Sequence, residues 1–269
     1  MNKLDLDKYF ERIGYGGGNA PELETLHALT KAHTTSIPFE NIDVLLKNPI
    51  LLEPEAIFRK MVLEKRGGYC FEHNGLFAAV LAQLGFTVHP LGARVRLLTP
   101  DRAITPTRTH LLLEVTINGE KWLTDVGFGG FSMTRALRFQ ADIIQKSEFD
   151  SRRIQKVGNT WFHQILRNDQ WVDGYEFTDH EMPFIDQVVG NWYTSTNPDC
   201  HFTSELLVTQ VKADGSLYLL KNNRFTIRKN NAEQSNDLLE TELMAVLQND
   251  FGIELPAGSH IPIDFSMAH

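Results

Sequence analysis

The sequence lacks several features that would assign it to a specialised class of protein. Two cysteines among 269 residues are too few for a disulfide framework and indicate a reducing compartment. No apolar run approaches the roughly 20 residues that a membrane-spanning helix needs, and the first residues lack the pattern of a signal peptide. Acidic residues outnumber basic ones by 34 to 26, and the net charge of −8 argues against nucleic acid or an anionic membrane as the main partner. We therefore predict a cytoplasmic protein, leaving a small anionic ligand and the oligomeric state open.

Motifs for metals and nucleotides are also missing. Ten histidines are present, but neither H-E-x-x-H nor paired C-x-x-C motifs occur, so we predict no metal site. The glycine-rich segment at residues 14–18 follows no predicted strand and completes neither phosphate-binding pattern, which favours a surface loop. Cys200 lies in a loop beside His201, with no base at a recognisable spacing, and we interpret it as a spectator thiol.

The hydrophobic periodicity changes twice along the chain. We predict an α+β fold with an N-terminal helical bundle over residues 1–85, a central antiparallel β-sheet or barrel over residues 86–190, and a C-terminal α/β lid over residues 191–269. Apolar residues at helical spacing predict helices over residues 21–34, 55–64, 70–84 and 238–249. Alternating β-rich runs predict strands over residues 86–98, 110–117, 120–126, 161–167, 170–177, 206–211, 217–220 and 224–228.

Cys70 lies where a glycine pair, Gly67 and Gly68, precedes one of these apolar helical runs. The spacing places Cys70 at a helix N-terminus, and the two glycines permit a tight turn with positive φ. Unpaired backbone N–H groups and the helix dipole favour a thiolate there, and Arg66 adds positive charge nearby. A cysteine is also a small hydrophobic residue, so simple packing stays open as an alternative.

A second group of candidate residues follows from a predicted hairpin. Asn118 and Gly119 between two β-rich runs indicate a two-residue type I′ turn. If residue 117 faces residue 120, His110 and Asp125 are diagonal neighbours on one sheet face, about 7–8 Å apart. Asp125 then accepts a hydrogen bond from one ring nitrogen of His110 and leaves the other free to act on a thiol. Cys70, His110 and Asp125 together have the composition of a Cys-His-Asp triad, and a bulge or register slip would break it.

Four segments in this order resemble the arylamine N-acetyltransferase family, of the bacterial type: residues 37–41 (IPFEN), 66–74 (RGGYCFEHN), 108–110 (RTH) and 125–130 (DVGFGG). The resemblance is close in the first half of the chain and covers only the general pattern in the last third. It implies a cysteine-protease-like triad in an enzyme that carries acetyl from acetyl-CoA, as a cysteine thioester and in ping-pong order, to the nitrogen of arylamines or arylhydrazines. Transfer to the oxygen of N-hydroxyarylamines is a further implied activity.

The same resemblance implies roles for individual residues. Cys70 is the implied acetyl-accepting nucleophile, His110 its base and Asp125 the residue that orients His110. The implied substrate-binding residues are Phe39, Tyr69, Val95, Thr109 and Phe128. The implied coenzyme-binding residues are Thr107 and Thr203.

Two other function classes stay open at this point. A papain- or transglutaminase-like hydrolase also uses a Cys-His-Asp triad, although the C-G-S-C-W-like signature of the papain type is missing here. A binding module that keeps Cys70 only for packing is the non-enzymatic alternative.

Overall fold

The computed structural model describes residues 3–230, 232–256 and 258–265. Residues 1–2 of the predicted helical bundle and residues 231, 257 and 266–269 of the predicted C-terminal lid lie outside the described residues. The helices are α1 Leu6–Ile13, α2 Leu23–Ser36, α3 Ile42–Leu45, α4 Pro54–Phe58, α5 Cys70–Gln83, α6 Phe184–Thr196 and α7 Glu240–Phe251. A π-helical turn, Arg59–Leu63, continues α4, and 3-10 turns lie at Gly129–Phe131 and His201–Thr203. The strands are β1 Phe39–Glu40, β2 Thr87–Val95, β3 His110–Ile117, β4 Glu120–Thr124, β5 Leu137–Arg138, β6 Gln145–Lys146, β7 Ser151–Val157, β8 Thr160–Arg167, β9 Gln170–Glu181, β10 Leu207–Val211, β11 Leu217–Lys221, β12 Arg224–Lys229 and β13 Ala232–Asp237.

The strands form two antiparallel sheets. The larger has eight strands in the order β5-β4-β3-β2-β9-β8-β7-β6, and the smaller has five in the order β1-β10-β11-β12-β13. The backbone N–H of Arg138 donates to the Gln145 side chain at 2.7 Å, and that side chain donates to the Arg138 carbonyl at 3.0 Å. One side chain therefore joins the two edge strands, and the larger sheet is a nearly closed barrel. The predicted α+β fold is confirmed.

The N-terminal helices and the larger sheet share one core. Leu26 on α2, Leu76, Phe77 and Val80 on α5, and Val115 on β3 have no exposed surface. The positions on α5 recur at helical spacing, so one face of that helix packs toward the sheet. Burying each of these side chains contributes roughly 1.5–3 kcal/mol. This packing fixes the position of α5, which begins at Cys70.

The hairpin of β3 and β4 has the predicted register. Ile117 pairs with Glu120, and the ladder continues to the pair Leu113 and Thr124. Asn118 and Gly119 have φ values of 52° and 80°, the positive angles that a type I′ turn requires. The prediction of this hairpin is confirmed, and it brings His110 at the start of β3 near Asp125, just after β4.

Some features of the fold were not predicted from the sequence. The α6 helix was not predicted, although Ile185, Val189 and Trp192 recur at helical spacing; these side chains are 66%, 58% and 65% exposed and form an apolar face on the surface. The predicted boundary at residue 190 falls inside this helix. Strand β1 also pairs with β10, so an N-terminal segment shares a sheet with the last third of the chain. The three-part division stays a prediction.

Candidate active site

Cys70 is the first residue of α5, as predicted. The predicted reason for the glycines before it was wrong, because neither Gly67 nor Gly68 has a positive φ. Glycine is needed there for close packing instead. A Cβ on Gly67 would lie 2.1 Å from the Pro38 carbonyl oxygen, and one on Gly68 would lie 2.7 Å from a Glu72 carboxylate oxygen. The chain entering α5 is thus pressed against the segment that forms β1.

Arg66 is held by carboxylates on that neighbouring segment. Its guanidinium donates to Glu40 at 2.9 Å and lies 3.4 Å from Asp43. Burial would lower the pKa of Arg66, but the charges of Glu40 and Asp43 raise it. Its positive charge is therefore engaged in these ion pairs, and its predicted effect on Cys70 stays a prediction.

A second cation completes this ionic cluster. Lys60 contacts Asp43 and Glu72, each at 2.7 Å. Burial disfavours the charged form of Lys60, but the surrounding carboxylates, Glu72 first, raise its pKa above the ordinary value. Glu72 also accepts the backbone N–H of Tyr69 at 3.0 Å, so its carboxylate satisfies one of the free donors at the start of α5. The ionic cluster of Glu40, Asp43, Lys60, Arg66 and Glu72 fixes where the helix begins.

His110 and Asp125 form a buried hydrogen-bonded pair. The Nε2 atom of His110 donates to Asp125 Oδ2 at 2.7 Å, and both side chains are almost wholly inaccessible. Burial would lower the pKa of His110, but the Asp125 carboxylate and, to a smaller extent, the Cys70 sulfur raise it to about 10. Burial would raise the pKa of Asp125, yet the charge and hydrogen bond of His110 lower it. The predicted contact is present, and the catalytic roles of the two residues stay a prediction.

Asn74 is the residue that sequence reasoning missed in this arrangement. Its amide donates to Asp125 Oδ1 at 2.9 Å and to the Leu111 carbonyl at 2.7 Å, and its oxygen accepts the Val126 N–H at 3.1 Å. Because Asn74 stands four residues after Cys70, both side chains lie on one face of α5. The available signal was an asparagine one helical turn after the candidate nucleophile.

Gly127 allows α5 and the end of the hairpin to approach each other. A Cβ on Gly127 would lie 2.8 Å from the Cα atom of Cys70, which is closer than real Cβ atoms come. Its backbone N–H also donates to Asp125 Oδ1 at 3.1 Å. A glycine here is therefore required by the short distance between α5 and the segment that carries Asp125.

Cys70 and His110 line a cavity of about 520 Å³. We call it the catalytic cavity, after the catalytic roles predicted for these two residues. It also includes most of the predicted substrate and coenzyme residues, namely Phe39, Val95, Thr107, Thr109 and Phe128. The Cys70 Sγ atom lies 3.6 Å from the Thr109 carbonyl oxygen. The Phe128 ring is centred 4.9 Å from the His110 ring. The cavity thus places a thiol, an imidazole and an aromatic wall together.

Two predicted binding residues, Tyr69 and Thr203, are not among the described residues that line the catalytic cavity. Tyr69 is fully buried, and its hydroxyl donates to the side-chain oxygen of Asn191. The Thr203 hydroxyl donates to the Cys200 carbonyl at 2.8 Å within its own turn. Both hydroxyls are engaged inside the protein, and the binding roles of Tyr69 and Thr203 stay predictions.

The catalytic cavity contains further residues that were not predicted. Cys200, interpreted from sequence as a spectator in a loop, lies in its wall together with Phe202. Burial raises the pKa of the Cys200 thiol. Arg228 on β12 is the only arginine among the described residues that line the cavity. Packing between the two sheets brings these residues to the cavity, and no local pattern in the sequence encodes that packing.

Comparison with known proteins identifies the family. Residues 22–260 match the N-acetyltransferase family. The chain is 39% identical over 257 residues to an arylamine N-acetyltransferase of Escherichia coli, covering 95% of this chain and 91% of the relative. The chain belongs to the arylamine N-acetyltransferase family. The predicted resemblance to this family is therefore confirmed.

Two further members of the arylamine N-acetyltransferase family carry informative names. A Salmonella typhimurium relative, 39% identical with 92% of this chain and 88% of the relative covered, is an arylamine N-acetyltransferase / N-hydroxyarylamine O-acetyltransferase. The structure of Mycobacterium marinum arylamine N-acetyltransferase in complex with CoA is 38% identical, with a TM-score of 0.88 and 93% of each chain covered. Family membership favours the acyltransferase class over the hydrolase and the binding module.

The sequence predicted neither a metal site nor a membrane-spanning helix. Within residues 3–230, 232–256 and 258–265, no group of three histidine, cysteine or acidic side chains is placed to hold a metal ion. In the same part of the chain, no helix is long and apolar enough to cross a membrane. The metal-free site and the cytoplasmic location stay predictions for this arylamine N-acetyltransferase family member.

Proposed function

We propose that this protein transfers the acetyl group of acetyl-CoA to the nitrogen of arylamines and arylhydrazines through a thioester on Cys70. The observation that carries the proposal is a thiol at a helix N-terminus in one cavity with a buried His110–Asp125 pair. The names of the relatives and the CoA complex of one of them support the two substrate classes. The name of the Salmonella relative supports transfer to the oxygen of N-hydroxyarylamines as a second activity.

In the first half-reaction Cys70 takes the acetyl group. With its pKa raised to about 10, His110 is an imidazolium at neutral pH and stabilises negative charge on the Cys70 sulfur. The sulfur attacks the thioester carbonyl carbon, a new C–S bond forms, and the bond to the coenzyme sulfur breaks. His110 gives its Nδ1 proton to the departing thiolate. One thioester replaces another, so the step is close to thermoneutral.

The oxygen that becomes negative during this step needs hydrogen-bond donors. The N–H groups of Cys70 and Phe71 have no acceptor among the described residues, because they belong to the first turn of α5. We propose that these two N–H groups donate hydrogen bonds to the oxyanion. Donors of this kind, fixed before the reaction, stabilise a transition state by about 3 kcal/mol each.

In the second half-reaction the amine removes the acetyl group. The arylamine nitrogen attacks the Cys70 thioester, neutral His110 accepts the proton that the nitrogen loses, and the Cys70 thiolate departs. His110 is then an imidazolium again and the cycle closes. Asp125 holds the Nε2–H of the ring throughout and keeps Nδ1 directed to the reacting groups.

The walls of the catalytic cavity fit these substrates. Phe39, Val95 and Phe128 give it an aromatic and aliphatic lining that suits a flat amine and discourages water from hydrolysing the thioester. Thr107 is exposed at the cavity and its hydroxyl lies 3.4 Å from that of Thr109. We assign Thr107 and Arg228 to the coenzyme, because Arg228 lines the cavity and pairs with Glu233 through its Nε at 2.6 Å, which leaves its terminal N–H groups to bind the phosphates.

Steady-state kinetics tests the proposed order. Initial rates are measured while acetyl-CoA is varied at several fixed concentrations of an aromatic amine, with the N-acetylated amine and free CoA both quantified. A ping-pong reaction gives parallel double-reciprocal lines and equal amounts of the two products. Intersecting lines would contradict the thioester route, and CoA release that exceeds acetylated amine would favour a hydrolase.

A further inference from the structure

A second cavity lies at the seam of the barrel, where the edge strands β5 and β6 meet α2. It has a volume of about 310 Å³. Its wall is formed by Leu23 and His27 of α2, by Trp122 of β4, and by residues 134–138, 143, 145–147, 150 and 152. None of these residues lines the catalytic cavity. We call this space the seam cavity.

The seam cavity has excess positive charge. Arg152 is engaged by Asp150 at 2.6 Å and by the carbonyls of Phe131 and Ser132, while Arg138 pairs with Glu120 at 2.5 Å. The two remaining cations of the wall, Arg135 and Lys146, have no carboxylate within ion-pair distance among the described residues. Both are exposed at the cavity. Two uncompensated positive charges on a protein of net charge −8 mark a local anion-attracting site.

Two buried polar atoms in the same wall lack hydrogen-bond partners. The Oγ1 atom of Thr134 and the Nδ1 atom of His27 are both without a partner, and each residue is only 8% exposed. An unsatisfied buried polar atom costs about 1–3 kcal/mol, which a bound group that supplies the bond recovers. Burial and, next, the charge of Arg135 lower the pKa of His27 to about 4, so its ring is neutral at pH 7 and both donates and accepts.

Besides the polar side chains of Gln145 and Ser147, the rest of the wall is aromatic and apolar. The rings of His27 and Trp122 meet edge to face with centroids 5.6 Å apart. Leu23, Leu137 and Ile143 add aliphatic surface. The volume of 310 Å³ is at the low end for small-molecule sites, so it suits a ligand with one ring and is too small for a coenzyme.

We propose that the seam cavity binds a small aromatic carboxylate, with the carboxylate between Arg135 and Lys146 and the ring against Trp122 and His27. The hydroxyl of Thr134 supplies a hydrogen bond to the bound anion. This site is separate from acetyl transfer and does not depend on the proposed function.

The test is a ¹⁹F NMR titration of the full chain with 4-fluorobenzoate, and with 4-fluorobenzamide as a neutral ligand of the same shape. We expect saturable binding of the carboxylate at concentrations below about 10 mM and at least about tenfold weaker binding of the amide. The double variant R135A/K146A removes both uncompensated charges and weakens carboxylate binding by about tenfold or more. Thr134→Val, which keeps the shape of the wall, weakens it by a smaller factor.

Two control variants show whether the carboxylate binds at the seam cavity or elsewhere on the protein. Lys156→Ala removes an exposed cation that lies over Trp161, outside the seam cavity, and leaves binding unchanged. Phe128→Ala alters the catalytic cavity and likewise leaves binding unchanged. Absence of saturable binding, equal binding of the amide, or binding that persists in R135A/K146A and is lost in Phe128→Ala would each overturn the proposal.

Discussion

At the scale of single residues, the properties of His110 follow from its neighbours. Burial by itself favours a neutral ring, yet the Asp125 carboxylate at 2.7 Å reverses this preference. Asp125 in turn is fixed by Asn74 and by the Gly127 N–H. The imidazole therefore receives its charge and its orientation from one carboxylate, and that carboxylate is held by the helix that carries Cys70.

The variant Asp125→Asn tests whether activity depends on this carboxylate. The amide retains the size of the side chain but removes the charge and permits the wrong tautomer of His110. We expect kcat to fall by on the order of 10³-fold or more while the protein stays folded. Turnover is measured with an aromatic amine, and folding is checked by circular dichroism. A rate within a few-fold of the wild type would rule out the proposed role of Asp125.

The same pair gives a pH dependence of stability. The folded-state pKa of His110 is raised from 6.5 to about 10, so the stabilisation from its protonated form is complete below pH 6.5 and is lost as the pH rises through about 10. We expect the difference in the free energy of unfolding between wild type and Asp125→Asn to be largest near pH 6 and to shrink by a few kcal/mol toward pH 10. Urea denaturation at several pH values measures it, and a difference independent of pH would contradict the assignment.

At the scale of secondary-structure elements, the start of α5 is set by packing and by buried charge. The ionic cluster joins the β1 segment, the π-helical turn and the first turn of α5. Gly127 lets the end of the β3–β4 hairpin come within contact of Cys70. The position of Cys70 thus depends on three neighbouring segments.

Arg66→Met tests the contribution of the ionic cluster to stability. It removes the ion-pair partner of the Glu40 carboxylate, which is 1% exposed and retains the hydrogen bond from the Ile42 N–H. We expect the free energy of unfolding to fall by about 3–5 kcal/mol. The matched control is Lys65→Met, whose ion pair with Glu254 is exposed on both sides, and it changes stability by less than about 1 kcal/mol. Equal effects of the two variants in chemical denaturation would show that the cluster does not stabilise the fold.

Gly127→Ala tests the close approach of the hairpin to α5. The added methyl group would lie 2.8 Å from the Cα atom of Cys70 and forces the two segments apart. We expect kcat to fall by about 10²-fold because the thiol and the imidazole separate. Gly16→Ala is the matched control, since its Cβ meets nothing within 4 Å and its φ is not positive. A Gly127→Ala enzyme as active as the control would refute the requirement for close approach.

At the scale of the whole molecule, short sequence patterns predicted the features that depend on neighbouring residues in the chain. The Asn118–Gly119 turn sets the register that places His110 near Asp125, and helical spacing sets the start of α5. The sequence contains no local signal for contacts made between distant segments, such as those that bring Cys200 and Arg228 to the catalytic cavity. The apolar residues of α6 recur at helical spacing, so the helix itself could have been predicted from the sequence, whereas the exposure of its apolar face could not.

The catalytic cavity is formed by segments that are distant from one another in the sequence. Its lining runs from Phe39 on β1 to Arg228 on β12, and both sheets contribute to it. The presence of Cys200 in the same wall gives the central claim a direct rival, because two thiols face one cavity.

The measurement that tests the central claim most directly is intact-mass analysis after incubation with acetyl-CoA alone. Cys70 as the acetyl carrier predicts a single acetyl adduct on the wild type and on Cys200→Ser, no adduct on Cys70→Ser, and loss of the adduct as N-acetylated product forms when an aromatic amine is added. An adduct that persists on Cys70→Ser, or the absence of any adduct on the wild type while turnover proceeds, would contradict it.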